Sequence, residues 1–141
     1  MQRGMVLIEL IFTLAVAAIV AAFGFVRLAS ITDAATTNEA TQRVVTLLDA
    51  ARGAAVRLDG VAIVALSDSV YAVRVVQGTD TIAAWNETGS HRDGITLSGV
   101  GAPIRFGPAG IAVGAANRTL VIGKGSAQRR IVLSRLGRLE Y

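Results

Sequence analysis

Cysteine is absent from the 141 residues and histidine occurs once, as His91. The first absence excludes disulfides, thiolate metal sites and cysteine nucleophiles, and it leaves the redox compartment open. A zinc site needs three or four convergent donors, so a lone imidazole in Ser90-His91-Arg92-Asp93 reads as a solvated loop residue. Asp59, Asp68, Asp80, Glu87 and Asp93 are scattered singly, without the alternating acidic run of a calcium loop. The serines lack a Gly-x-Ser-x-Gly elbow, and Gly123-Lys124-Gly125-Ser126 lacks the spacing of a phosphate loop and reads as a tight turn. No convergent acid, base or nucleophile set remains, so catalytic residues, metals and cofactors are not expected and a membrane-tethered enzyme is disfavoured. Two prolines against 15 glycines suggest a turn-rich domain without a collagen-like period.

Charge is also missing where it is most informative. From Leu10 to Val26 there is none, and from Met5 to Val26 Glu9 is the only one. Twenty-two residues at helical rise span about 33 Å, against a hydrocarbon core of roughly 30 Å, so the segment can cross a bilayer once. A secretory signal peptide has a shorter apolar core, about 7–15 residues, with its small-residue cleavage site after that core. Here the small residue, Gly4, precedes it. A plain anchor fits the length but leaves Glu9 unpaired, at about 2.5–3.5 kcal/mol on insertion scales. A cut between Gly4 and Met5 would supply a partner. The new α-amino group lies four residues from Glu9 along the chain, on the same helix or on a neighbour packed in register. Pairing that charge would favour side-by-side assembly of many copies.

These residues resemble the class III signal of type IV prepilins and type II secretion pseudopilins. That signal has a short basic leader, a glycine, a cut, a hydrophobic residue that becomes N-methylated, and glutamate at the fifth mature position. Gly4, Met5 and Glu9 match it one for one, and Thr13 stands where such helices often keep a hydroxyl. The resemblance implies a prepilin peptidase that cuts after Gly4 and methylates Met5, and partners that are other pilin or pseudopilin subunits. It also implies a single pass through the bacterial inner membrane with everything after Arg27 periplasmic. Arg3 and Arg27 flank the apolar run on both sides, so the positive-inside signal is weak on its own.

Beyond the anchor the helix is expected to continue. Ile31, Ala34, Ala35, Val44, Leu47, Leu48, Ala51, Ala55 and Leu58 follow helical spacing, and Glu39 and Arg43 have the favourable i, i+4 order. Gly24 and the Thr36-Thr37-Asn38 patch weaken the helix, and Gly60 is the expected stop. After it the period falls to about two. Strands are expected at 61–66, 71–76, 81–85, 95–97, 104–106, 119–122 and 130–134, with a polar, exposed loop from Asn86 to Gly94. The fold class is α+β and pilin-like: a long N-terminal helix packed on an antiparallel β-rich domain. Its parts are a leader (1–4), a membrane portion of the helix (5–27), an amphipathic portion (28–59) and the β-rich domain (60–141).

Net charge is +4, unevenly spread. Residues 1–102 carry seven basic and nine acidic groups, whereas residues 103–141 carry seven basic groups and Glu140 alone, a net of +6. An anionic partner is implied. Ile104-Arg105-Phe106-Gly107-Pro108-Ala109-Gly110, Thr119-Leu120-Val121-Ile122 and Arg130 to Leu139 resemble the ending of the GspH/FimT family of minor pseudopilins and minor pilins. In that family a Phe-x-Pro-x-Gly-like turn precedes a hairpin and the chain closes on a Gly-Arg-aliphatic step. The resemblance implies a minor subunit that enters a type II secretion pseudopilus or a type IV pilus through its helix, in initiation or at the tip. The alternative it implies is FimT-like DNA binding during uptake, through Lys124, Arg129, Arg130, Arg135 and Arg138. Glu140 and the lack of aromatics other than Tyr141 in the tail count against it. From the residues themselves, Phe106, Ile131 and Leu133 read as core and Gly137 as a position a side chain would block. Arg138 reads either as a structural ligand of carbonyls or carboxylates or as a ligand-facing base.

Overall fold

The computed structural model describes the backbone of residues 2–114 and 117–141, and the side chains among them except those of residues 2–6, 24–26 and 92. Among the described residues one unbroken helix, α1 (Gln2–Arg57), is followed by nine strands. The strands are β1 (Val61–Leu66), β2 (Val70–Gln77), β3 (Asp80–Thr88), β4 (Thr96–Ser98), β5 (Ile104–Phe106), β6 (Ala112–Val113), β7 (Arg118–Lys124), β8 (Ala127–Leu133) and β9 (Leu139–Glu140). They form two antiparallel sheets, one ordered β3-β2-β1-β5-β6 and the other β4-β7-β8-β9. This is the expected α+β architecture of a long helix on an antiparallel β-rich domain.

The lower part of α1 closes the core of both sheets. Val44, Leu47, Leu48 and Ala51 are buried with Val64, Val73, Val75 and Phe106 of the larger sheet and with Leu120, Ile122, Ile131 and Leu133 of the smaller. Alternation along each strand does this: in β1, Ala62, Val64 and Leu66 face in, and in β2, Tyr71, Val73 and Val75 do. The expected stripe is corrected at both ends. Ile31, Ala34, Ala35 and Leu58 are exposed, and burial begins at Thr37 and ends at Ala55. The domain reaches no higher than Asp33, where the tip of the β7–β8 hairpin meets the helix. Thr37 and Thr41 are buried with their hydroxyls satisfied, each donating to the carbonyl four residues back at 2.7 Å. The Thr36-Thr37-Asn38 patch is therefore continuous helix.

The helix ends as a Schellman motif. Asp59 N–H donates to Val56 O (3.4 Å) and Gly60 N–H to Ala55 O (3.0 Å). The left-handed residue is Asp59, at φ 47°, and not the expected Gly60. Gly60 is required for space instead, since a Cβ there would lie 2.8 Å from Val76 O.

The expected loop from Asn86 to Gly94 is also corrected. Asn86, Glu87 and Thr88 complete β3, and a 3₁₀ turn follows at Ser90–Asp93. Gly89 N–H donates to Ser69 O (2.9 Å), His91 N–H to Asp68 O (3.0 Å), and the buried Tyr71 and Ser90 hydroxyls lie 2.7 Å apart. The segment is thus pinned to the β1–β2 turn. Strands β6 and β9, two residues each, were too short to show a period.

The corrected face is testable by unfolding the detergent-solubilised chain with denaturant. Leu48→Ala, at a fully buried position, is expected to remove about 2–5 kcal/mol. Ile31→Ala, at a position 62% exposed, should stay within about 0.5 kcal/mol of the parent.

Candidate functional site

Among the described residues, no part of the folded domain covers the upper half of α1. Leu7, Ile8, Leu10, Ile11, Phe12, Leu14, Val16, Ile19, Val20 and Phe23 are all exposed, Phe23 to 73%. Burying such side chains is worth roughly 1.5–3 kcal/mol each, so this surface is stable only against lipid or other helices. Phe12, Val16 and Val20, with the small Thr13, Ala17 and Ala21, line a shallow apolar groove along it. The Thr13 hydroxyl is satisfied within the helix, donating to Leu10 O at 2.9 Å. Glu9 is exposed on this surface and makes no ion pair among the described side chains. The surroundings of Gly4, the side chain of Met5, and Met1 altogether lie outside what the structure describes, so the expected cleavage step has no described geometry.

The C-terminal bases do not form one patch. Lys124, at the end of β7, approaches Asp33 of α1 at 3.8 Å, so a carboxylate of the chain itself already faces its ammonium. Gly125 allows the approach: a Cβ there would lie 2.5 Å from Asp33 Oδ2. Arg129 and Arg130 are neighbours on β8 and so point to opposite faces, Arg129 opposite Ile122 on the core side and Arg130 opposite Val121 on the outer side. Arg135 and Arg138 sit on the β8–β9 turn, where Arg135 N–H donates to Asn117 Oδ1 and Arg138 N–H to Ser134 Oγ, both at 3.1 Å. The side chains of Arg129, Arg130, Arg135 and Arg138 are exposed and unpaired among the described residues.

Carbonyl binding, one of the two roles open for Arg138, is carried out by other arginines. Arg52 Nε on α1 donates to Gly110 O at 3.0 Å, and Arg118 Nη1 donates to Val100 O at 2.6 Å and to Ala102 O. The Arg52 contact draws together both halves of the C-terminal pattern. Gly110 closes the Gly107-Pro108-Ala109-Gly110 turn by donating its N–H to Gly107 O (2.8 Å), and Gly137 packs directly on it. Sequence spacing offered no signal for this, since Arg52 and Gly110 lie 58 residues apart. Arg74 and Arg105 were likewise not associated. Both pair with Ile63 of β1, from β2 and β5, which puts two exposed guanidinium groups on the outer face of the larger sheet about 9–10 Å apart at the backbone.

No family model matches the chain, and no curated protein matches it. Two solved structures do, both of the type IV minor pilin FimU of Pseudomonas aeruginosa strain PAO1 in different crystal forms. One aligns at TM-score 0.60 with 22% identity, covering 73% of this chain and 85% of that one. The other aligns at TM-score 0.57 with 22% identity, covering 73% and 90%. The likeness establishes a shared fold.

The turn junction yields a prediction for Gly137, which holds φ +77° with a Cβ position 2.5 Å from Gly110 O. Gly137→Ala should destabilise the domain by about 2–4 kcal/mol in denaturant unfolding, from left-handed strain and a backbone clash together. Gly114→Ala, at φ +90° in open space, should lose only the strain, about 1–2 kcal/mol.

Proposed function

We propose that this chain is a minor subunit of a type IV pilus or of a type II secretion pseudopilus, acting in initiation of the filament or at its tip. The observation that carries the reading is the uncovered apolar half of α1 with a single carboxylate, Glu9, within it. The shared architecture with a type IV minor pilin and the class III signal at Gly4, Met5 and Glu9 support it. Before assembly the helix crosses the inner membrane once and the β-rich domain is periplasmic. A prepilin peptidase cuts after Gly4 and methylates Met5. The new ammonium meets Glu9 of its own or a neighbouring helix, and other pilin or pseudopilin subunits replace lipid along the apolar groove.

A second reading, DNA binding during uptake, is favoured by the exposed, unpaired Arg129, Arg130, Arg135 and Arg138. Lys124 contributes least to it because Asp33 already faces that ammonium. The contact would be with backbone phosphates and independent of sequence.

Processing and assembly have separate readouts. Gly4→Val should leave an uncut precursor, detected by mass spectrometry of membrane extracts. Glu9→Ala should be cut and inserted normally but reach sheared filaments at about a tenth of the parental level or less, since nothing then balances the buried ammonium. Normal incorporation of Glu9→Ala would eliminate the charge pair as the basis of assembly.

For the second reading, full-length protein in neutral detergent is titrated with duplex DNA at several salt concentrations. Arg135→Gln with Arg138→Gln should lower the slope of log K against log salt by about 1.8. A parent protein that shows no salt-dependent retention of DNA removes this reading and leaves the first intact.

A further inference from the structure

The larger sheet ends in an open edge. β3 is its terminal strand and is nine residues long, about 30 Å at strand rise, whereas the other outermost strands, β6, β4 and β9, have two, three and two residues. Alternate residues of β3 turn their N–H and C=O groups away from β2. Among the described residues no strand, side chain or loop hydrogen-bonds to that outer side. Of the usual protections of a free edge, β3 has one irregularity and a carboxylate near each end, but it holds no proline and no lysine, and Thr81 to Asn86 carry no charge. Ile82 is 43% exposed on it and Trp85 half-buried.

Charge selects what such an edge accepts. Asp80 pairs with Gln77 and Glu87 with Tyr71, and since Gln77 and Tyr71 are six residues apart on β2, the two carboxylates lie on the same face. The register shift between Val75 and Val76 brings this about, by inserting one extra residue into β3. If β3 paired antiparallel with β3 of a second copy over its full length, Asp80 would stand opposite Thr88 and Glu87 opposite Thr81, so each Asp80 would lie one position from the other copy's Glu87, with four carboxylates and no base along the ladder to offset their repulsion. A second copy is disfavoured and a basic strand is favoured. Neither Asp80 nor Glu87 is in an ion pair among the described side chains. Glu87 also lines a cleft of about 550 Å³ with Ser69, Val70, Asn86, Thr88, Gly89 and His91, at the end of β3 nearest the β1–β2 turn.

We propose that β3 is a docking edge for an extended segment of a different protein chain, which adds to the larger sheet as a sixth strand and carries two basic residues six positions apart. One base meets Asp80, and the other meets Glu87 at the mouth of the cleft. Main-chain hydrogen bonds supply the affinity and the two carboxylates the choice of partner. The site involves neither the N-terminal processing step nor the basic C-terminal turn, so it stands or falls independently of both readings above.

The chain carries its own reporter, since Trp85 is the only tryptophan and lies on β3. Full-length protein in detergent is titrated with a nine-residue peptide of alternating threonine and valine bearing two lysines six positions apart. A saturable change in Trp85 fluorescence is expected at or below about 1 mM peptide, together with hydrogen-exchange protection confined to β3. Glutamates in place of the lysines should weaken binding about tenfold or more, and a central proline should abolish it. The doubly substituted protein Asp80→Lys with Glu87→Lys should reverse the preference between the two peptides. Absence of binding, protection elsewhere than β3, or equal affinity for the lysine and glutamate peptides would each overturn the proposal.

Discussion

The governing constraint is that one helix must satisfy two environments. Its lower half supplies a wall of the domain core, from Thr37 to Ala55, and the described residues of its upper half include ten large apolar side chains that the domain does not reach. Water is a poor solvent for that surface. Everything else about the molecule is arranged around the change of environment near Asp33. There the β7–β8 hairpin tip touches the helix through Lys124, and the first buried hydroxyl, on Thr37, is bonded back into the helix to Asp33 O.

The core below that level depends on the helix as much as on the strands. Neither sheet is thick enough to bury its own inner face. Leu47, Leu48 and Ala51 close the space between Val64, Val73 and Phe106 on one side and Leu120, Ile131 and Leu133 on the other. At the lower end Arg52 completes the closure by holding the Gly110 carbonyl against the Gly137 turn. A hydrogen bond from a charged donor to a partly buried carbonyl is worth more than a neutral one, which suits a junction where three separate segments must meet. Gly110 and Gly137 both hold positive φ there, and at Gly137 a Cβ would also run into the Gly110 carbonyl.

Charge is unevenly spread over the same framework. Asp80 and Glu87 stand near opposite ends of β3, with Asp68 in the β1–β2 turn and Asp93 in the 3₁₀ turn, while Arg129 and Arg130 belong to β8 and Arg135 and Arg138 to the β8–β9 turn. The asymmetry was visible along the chain, but its division into separate surfaces was not. Adjacent strand residues face opposite ways, so Arg129 and Arg130 leave β8 on opposite faces, while Arg74 and Arg105, 31 positions apart in the chain, share a face because β1 lies between their strands.

The sequence by itself determined the long helix, its two-part character, the strand-rich remainder, and the burial of Phe106, Ile131 and Leu133, because these follow from local periodicity and from an uncharged run too long for any other element. It also placed Gly137 as a position with no room for a side chain. Tertiary structure decided where the helix first meets the domain, so that Ile31, Ala34 and Ala35 stay exposed although their spacing is helical. It decided that Lys124 belongs to Asp33, that Arg52 rather than Arg138 binds a carbonyl, and that the polar segment at Asn86 extends an open strand. These outcomes rest on contacts between residues far apart in the chain, and spacing within a short window carries no information about which distant partner will arrive.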